Sequence, residues 1–265
     1  MHLHGSRVRT ARARAGMVVV AVAVAVGLAA CSTSTPAATK KAAAYAQRAN
    51  LGAQDLPSGW SPQGAATNST GTSSTLTPPQ HKSVHALLAT LPSSCRVLDA
   101  TFTASLVSGP PIGTVAQNQA QFSSANDGNS VISSTVVVFG SAKGAQTTFA
   151  YYGAPTFAPC LQAFLTATLK QIFTLSAVQV TVAPVPVATP PPAGVSATAF
   201  TVDQTGKHQG AQAQVSASKE EVVQSGSAMA FVQVAAGVTS LPPDAVTVFD
   251  QAASTVAHNL VPPPS

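Results

Sequence analysis

Met17 to Ala30 is an unbroken run of fourteen residues without a charged or strongly polar side chain. The run suits the ~7–15 residues of a secretory signal core and falls short of the ~20 that a membrane-spanning helix needs. The pattern changes after it. Residues 32–39, Ser-Thr-Ser-Thr-Pro-Ala-Ala-Thr, carry too little apolar content to fold and form a flexible tether. Lys40 to Leu51 holds good helix formers and predicts a short helix. Asp55-Leu56-Pro57-Ser58-Gly59-Trp60 is a turn that sets down the only tryptophan. Residues 61–80, rich in Ser, Thr, Gly and Pro, predict a long surface loop.

Further along, Val84, Leu87, Leu88 and Leu91 share one face of a helix predicted from Ser83 to Leu91, which Pro92 stops. Residues 97–124 predict one or two short strands around Gly109-Pro110-Pro111. The strongest strand signal is Val131 to Phe139, β-branched enough to be buried on both faces. Gly140-Ser141 ends it and caps a helix whose apolar stripe is Ala142, Ala145, Phe149 and Tyr152. A second helix buries Leu161, Phe164, Leu165, Thr168 and Ile172, with Cys160 in its first turn.

Ala177 to Val187 predicts a strand that decays into a stiff proline-rich connector over 184–194. Three strands follow, Val195 to Asp203, Gln212 to Val223 and Ser227 to Ala235, joined by turns at 204–210 and 224–226. Val246, Phe249, Ala253, Val256 and Leu260 then recur at helical spacing, as on a closing helix laid along a sheet. The predicted class is α+β: one antiparallel sheet with helices packed on one side. The divisions are 1–30 as a signal peptide, 31–50 as tether and short helix, and 51–265 as one domain with the connector between its halves.

The charge distribution refines this picture. Arg7, Arg9, Arg12 and Arg14 precede the apolar run, and no acid does. The chain carries 13 Lys+Arg against 8 Asp+Glu, a net of +5. Removing the segment before Cys31 takes those four arginines and leaves about +1, so the excess charge belongs to the leader. A nucleic-acid role then has no electrostatic footprint.

Leu28-Ala29-Ala30-Cys31 resembles the lipobox of bacterial lipoproteins. The resemblance implies cleavage before Cys31 and acyl chains on its thiol and new amino terminus, with the protein held on the extracytoplasmic face of the membrane. Two cysteines then remain, Cys95 and Cys160, in an oxidising setting. A bridge between them closes a loop worth roughly 4 kcal/mol of unfolded-chain entropy; two buried free thiols are the alternative.

Asp55-Leu56-Pro57-Ser58-Gly59-Trp60, Cys95, Val136-Val137-Val138-Phe139-Gly140-Ser141-Ala142, Ala145, Phe149 and Cys160 together resemble the extracellular sensor-like domain of actinobacterial PknH-type receptor kinases and related lipoproteins. The similarity runs from about Leu51 to Leu260. It implies an α+β sandwich with a groove, acting as a binding or sensing module of the envelope. Members with a second disulfide have cysteines this chain lacks, and Phe157 stands where Trp is frequent before the second cysteine.

Reactive constellations are thin. His81 and His85 are four apart but have no sequence neighbour to complete a metal site. Ser216-Ala217-Ser218-Lys219 matches a Ser-x-x-Lys tetrad, yet it lies in a strand-like stretch and no Lys-Thr-Gly occurs. Glu220 and Glu221 are adjacent, so a strand would point them to opposite faces. The expectation is a non-catalytic module without a cofactor, binding an envelope ligand or protein partner. Phe200, Phe231 and Phe249 are the candidate groove residues. A lipid carrier is the alternative, and an envelope hydrolase a more distant one.

Overall fold

The structure, a computed structural model, describes residues 36–69, 86, 89–98, 113–171, 174–207 and 213–261. The leader with Cys31, the residues His81, His85 and His208, and most of the helix predicted from Ser83 to Leu91 lie outside them. Helix α1 (Pro36–Ala49) comes first; it takes in residues 36–39, predicted as the end of a tether, because Pro36 suits a first helical turn and the alanines after it favour helix. Two short strands follow, β1 (Trp60–Pro62) and β2 (Thr67–Ser69). A 3-10 turn over Ser93–Leu98 carries Cys95. Strands β3 (Thr114–Ser124) and β4 (Ser130–Phe139) precede helices α2 (Ala142–Tyr152) and α3 (Phe157–Gln171). Strands β5 (Ser176–Val185), β6 (Ser196–Lys207), β7 (Ala213–Ser225) and β8 (Ala228–Ala236) lead to the closing helix α4 (Pro243–Asn259).

All eight strands form one antiparallel sheet in the order β1-β3-β4-β8-β7-β6-β5, with β2 also paired to β3. The β5 to β8 run is a meander whose third strand turns tightly into its fourth. Ser225 pairs with Ala228, leaving Gly226-Ser227 as a two-residue turn, and Gly226 takes the positive φ of 54° that such a turn requires. At the other hairpin Asp127 builds the corner. Its carboxylate accepts from the backbone N–H of Asn129 and Ser130 and from the Ser130 hydroxyl, which hold it below the ordinary carboxylate range.

Alternation along the strands divides the core in two. Val137 and Phe139 of β4, Met229 and Phe231 of β8, Val222 of β7 and Phe200 of β6 face α2 and α3. Their neighbours Val136, Val138, Ala230, Val232 and Val223 face α1 and α4. The antiparallel α+β class and its single disulfide are thus as the pattern predicts. The helices, however, cover two faces of the sheet instead of one. The cause is visible in β8, where all nine residues are buried: a strand apolar on both sides needs a layer on each.

Other expectations shift by a residue or an element. The loop predicted over 61–80 begins as sheet, because β1 and β2 pair with β3. Residues 114–124 are one long strand, with even-numbered positions buried. On α2 the buried residues are Ala145, Thr148 and Tyr152, while Ala142 is exposed and Phe149 half-buried. On α4, Val248 and Ala252 are buried and Val246 is half-buried, a small rotation of the predicted stripe. The proline-rich connector joins β5 to β6, which are neighbours in the sheet.

Two devices fasten the layers. Cys95 and Cys160 form a disulfide with Cα atoms 5.4 Å apart, tying the 3-10 turn to the first turn of α3 inside the core. On the other face, Asn50 just beyond α1 is buried. Its Nδ2 donates to the Asn118 side chain at 2.6 Å and to the Asn118 carbonyl at 3.1 Å, while its Oδ1 accepts from Ser134 Oγ and the Leu51 N–H. Asn118 in turn donates to Asn68 of β2 at 2.8 Å. Every member has a partner, as a buried polar network requires.

Candidate functional site

The three candidate phenylalanines do not meet. Phe200 and Phe231 lie under α2 and α3, in a run of rings with Tyr152 and Phe157. Phe249 is on the opposite side of the sheet, fully buried among α4, β7 and β8. Phe200 and Phe231 are 2% and 3% exposed, so all three are core residues and no single groove holds them. Aromatic side chains bury the most area per residue, which draws them to the core whatever else they do.

Polar chemistry gathers instead at β7. Sequence alternation places Glu220 and Glu221 on opposite faces, and the pairing bears this out: each is buried, one in each core. Glu220 opposes Phe200 and Gln233 and sits in the aromatic layer. One of its carboxyl oxygens and the Tyr152 hydroxyl have no hydrogen-bond partner among the described residues. Burial drives the Glu220 carboxyl well above the ordinary carboxylate value, favouring its neutral form. Burial also drives the Tyr152 phenol up, and the nearby Glu220 adds to it.

On the α4 face, Lys219 Nζ donates to Asp250 Oδ1 at 2.7 Å and lies 5.1 Å from the centre of the Phe249 ring. Glu221 stands one pleat away on the same face of β7. Burial raises its carboxyl to about 7, against the pull of Lys219 and with a further push from Asp250. The tetrad residues are accounted for in the same stretch: Ser218 Oγ donates to the Val202 carbonyl at 3.3 Å, and Lys219 is held by Asp250. They form no nucleophile–base pair. The adjacent acids are legible in the sequence but their burial is not, because neither helical nor strand periodicity forecasts a carboxyl enclosed by apolar neighbours.

Beside this cluster runs a cleft of about 420 Å³ between α4 and the connector. Thr189 lines it from the connector; Thr247, Asp250, Gln251, Ser254 and Thr255 line it from the helix. Among the described residues no group of three or more His, Cys, Asp or Glu side chains is placed to hold a metal ion. Among them, too, no helix is long and apolar enough to cross a membrane.

The chain is therefore an α+β protein with one antiparallel sheet, a helical layer on each face and an internal disulfide. No family model matches it, and no curated protein does. Among solved structures, the crystal structure of the extracellular domain of PknH from Mycobacterium tuberculosis is similar, at 14% identity and a TM-score of 0.42. The alignment covers 82% of this chain and 97% of that one. A likeness of that degree assigns no site residue.

Proposed function

We propose that this protein is a lipid-anchored lipoprotein of the cell envelope, and that its α+β domain is a non-catalytic module binding a ligand or a protein partner outside the membrane. The observation that carries the reading is the distribution of sulfur. Cys95 and Cys160 pair with each other inside the folded domain, which leaves Cys31 as the one cysteine outside the pair. Cys31 follows directly on an apolar leader with small residues at its end. An internal disulfide suits an oxidising compartment, and a lone cysteine at the head of the mature chain suits an acceptor for acyl chains. Two or three such chains, at about 0.8 kcal/mol per buried methylene, anchor a protein stably.

Support for binding comes from the uncommitted polar cleft beside α4, set on an ordered sheet. Replacing Cys31 tests the anchor. The Cys31→Ser variant is expected to leave the membrane fraction and reach the soluble fraction with its domain folded. Membrane retention equal to that of the unmodified chain would contradict the reading.

A further inference from the structure

The geometry points to the cleft between α4 and the proline-rich connector as a binding site for a neutral oligosaccharide. This names a ligand class for the module proposed above and rests on that reading. Three features of the cleft carry it.

Its lining comes first. All six lining residues are polar, with four hydroxyls, one amide and one carboxylate. Thr247, Gln251 and the pair Ser254 and Thr255 recur at spacings of four and three to four, so they form one polar stripe along the flank of α4. Of the hydroxyls, only Thr247 makes an intramolecular hydrogen bond among the described residues, donating to the Pro243 carbonyl at 3.0 Å. The Gln251 amide and the hydroxyls of Thr189, Ser254 and Thr255 remain free to bind. Alternating donors and acceptors of this kind match vicinal hydroxyls of a sugar.

Charge comes second. Asp250 is the only acidic or basic side chain in the lining, and its Oδ1 already accepts from Lys219. Lys219 balances Asp250, and no other lining residue is charged, so the lining itself presents no unpaired charge to an ion. The other carboxylate oxygen keeps its capacity to accept from a hydroxyl. A carboxylate fixed by an ion pair and aimed at neutral hydroxyls forms strong, charge-assisted hydrogen bonds.

Rigidity comes third. One wall is the middle of a helix of more than four turns whose opposite flank is packed on the sheet. The other wall carries Thr189 directly before Pro190, Pro191 and Pro192, three residues with fixed φ. Val195, at the end of that wall, is anchored in the core of the α4 face. The cleft, of about 420 Å³, is open to solvent on one side, as suits a chain of sugar rings resting against two walls. Walls set before the ligand arrives reduce the entropy lost on binding.

The test uses the purified protein in a detergent without a sugar headgroup, screened on an array of neutral oligosaccharides. Any retained sugar is then titrated calorimetrically against the unmodified chain and the Gln251→Ala/Ser254→Ala and Thr189→Ala variants. Thr189 and Gln251 are exposed and Ser254 is half-buried with no hydroxyl partner among the described residues, so the melting temperatures of both variants should stay close to the parent's. The expected result is retention of at least one neutral oligosaccharide, with affinity at least tenfold weaker in the double variant. No retained sugar, or a retained sugar whose affinity ignores both variants, overturns the assignment. A parallel mass-spectrometric survey of small molecules captured from an envelope extract separates the two proposals. Capture of a non-carbohydrate molecule overturns the oligosaccharide alone; capture of nothing, with no sugar retained on the array, overturns small-ligand binding altogether and leaves the module a protein partner only.

Discussion

Glu221 makes the most specific demand on solution behaviour. Its carboxyl is raised from 4.5 to about 7 in the folded chain, with burial as the leading cause. At acidic pH it is protonated whether folded or unfolded and has no differential effect. As pH rises past 4.5 the unfolded chain releases the proton and the folded chain keeps it, so stability falls until the folded group ionises at about 7. Lys219 and Asp250 are the charged groups facing it, and both are already engaged with each other. Glu221→Gln is expected to flatten this part of the stability profile and to raise stability at pH 7.5 by roughly 2 kcal/mol, less than full conversion of the shift because of solvent screening. Urea unfolding at pH 4, 5.5 and 7.5 measures it. A parallel profile for variant and parent would contradict the assignment. Asn50 makes the opposite kind of prediction. Asn50→Ala strips partners from Asn118 and Ser134 in a buried setting and should cost about 2–3 kcal/mol, measured by the same method.

At the scale of elements, Ser141 is the clearest case of local sequence setting structure. It has extended backbone, and its hydroxyl accepts from the Gly144 N–H at 3.1 Å, satisfying a free donor at the start of α2. Ser141→Ala is expected to cost about 1 kcal/mol, seen as a lower urea midpoint with an unchanged slope. This cap was legible in the chain, as were the β4 run, the β5 to β8 strands and the rhythm of α4. Those elements announce themselves through a strong period or a hydroxyl at a boundary. What was not legible depends on distant partners. β1 and β2 are three residues each and exist because β3 offers them an edge. Thr148 replaces Ala142 in the buried stripe of α2 because the angle of docking on the sheet, which no local spacing encodes, selects the buried positions. The second helical layer follows from β8, whose small and branched residues are apolar on every position but Gln233.

The same limit governed the candidate site. Aromatic content drew attention to Phe200, Phe231 and Phe249, but the sheet separates the first two from the third and encloses all of them. The cleft beside α4 is lined by threonine, serine and glutamine, residues that carry no signature until a connector and a helix bring them together. Burial does have a readable cost here. Phe231→Ala removes a ring packed against Tyr152 and should destabilise by about 3–5 kcal/mol in thermal or urea unfolding.

For the whole molecule, the disposition of three sulfurs joins fold to location. The Cys95–Cys160 bridge spans 65 residues and constrains the unfolded chain by about 4 kcal/mol in the loop-entropy picture. The remaining thiol stands where an anchor would attach, a few residues ahead of α1. Intact mass spectrometry of the protein purified from its native membrane, without reductant and with a thiol-alkylating reagent present, examines both at once. The predicted spectrum is a chain beginning at Cys31, heavier by a diacylglyceryl group or more and unalkylated. A chain beginning at Met1, without acyl mass and alkylated three times, would contradict the anchor and the bridge together.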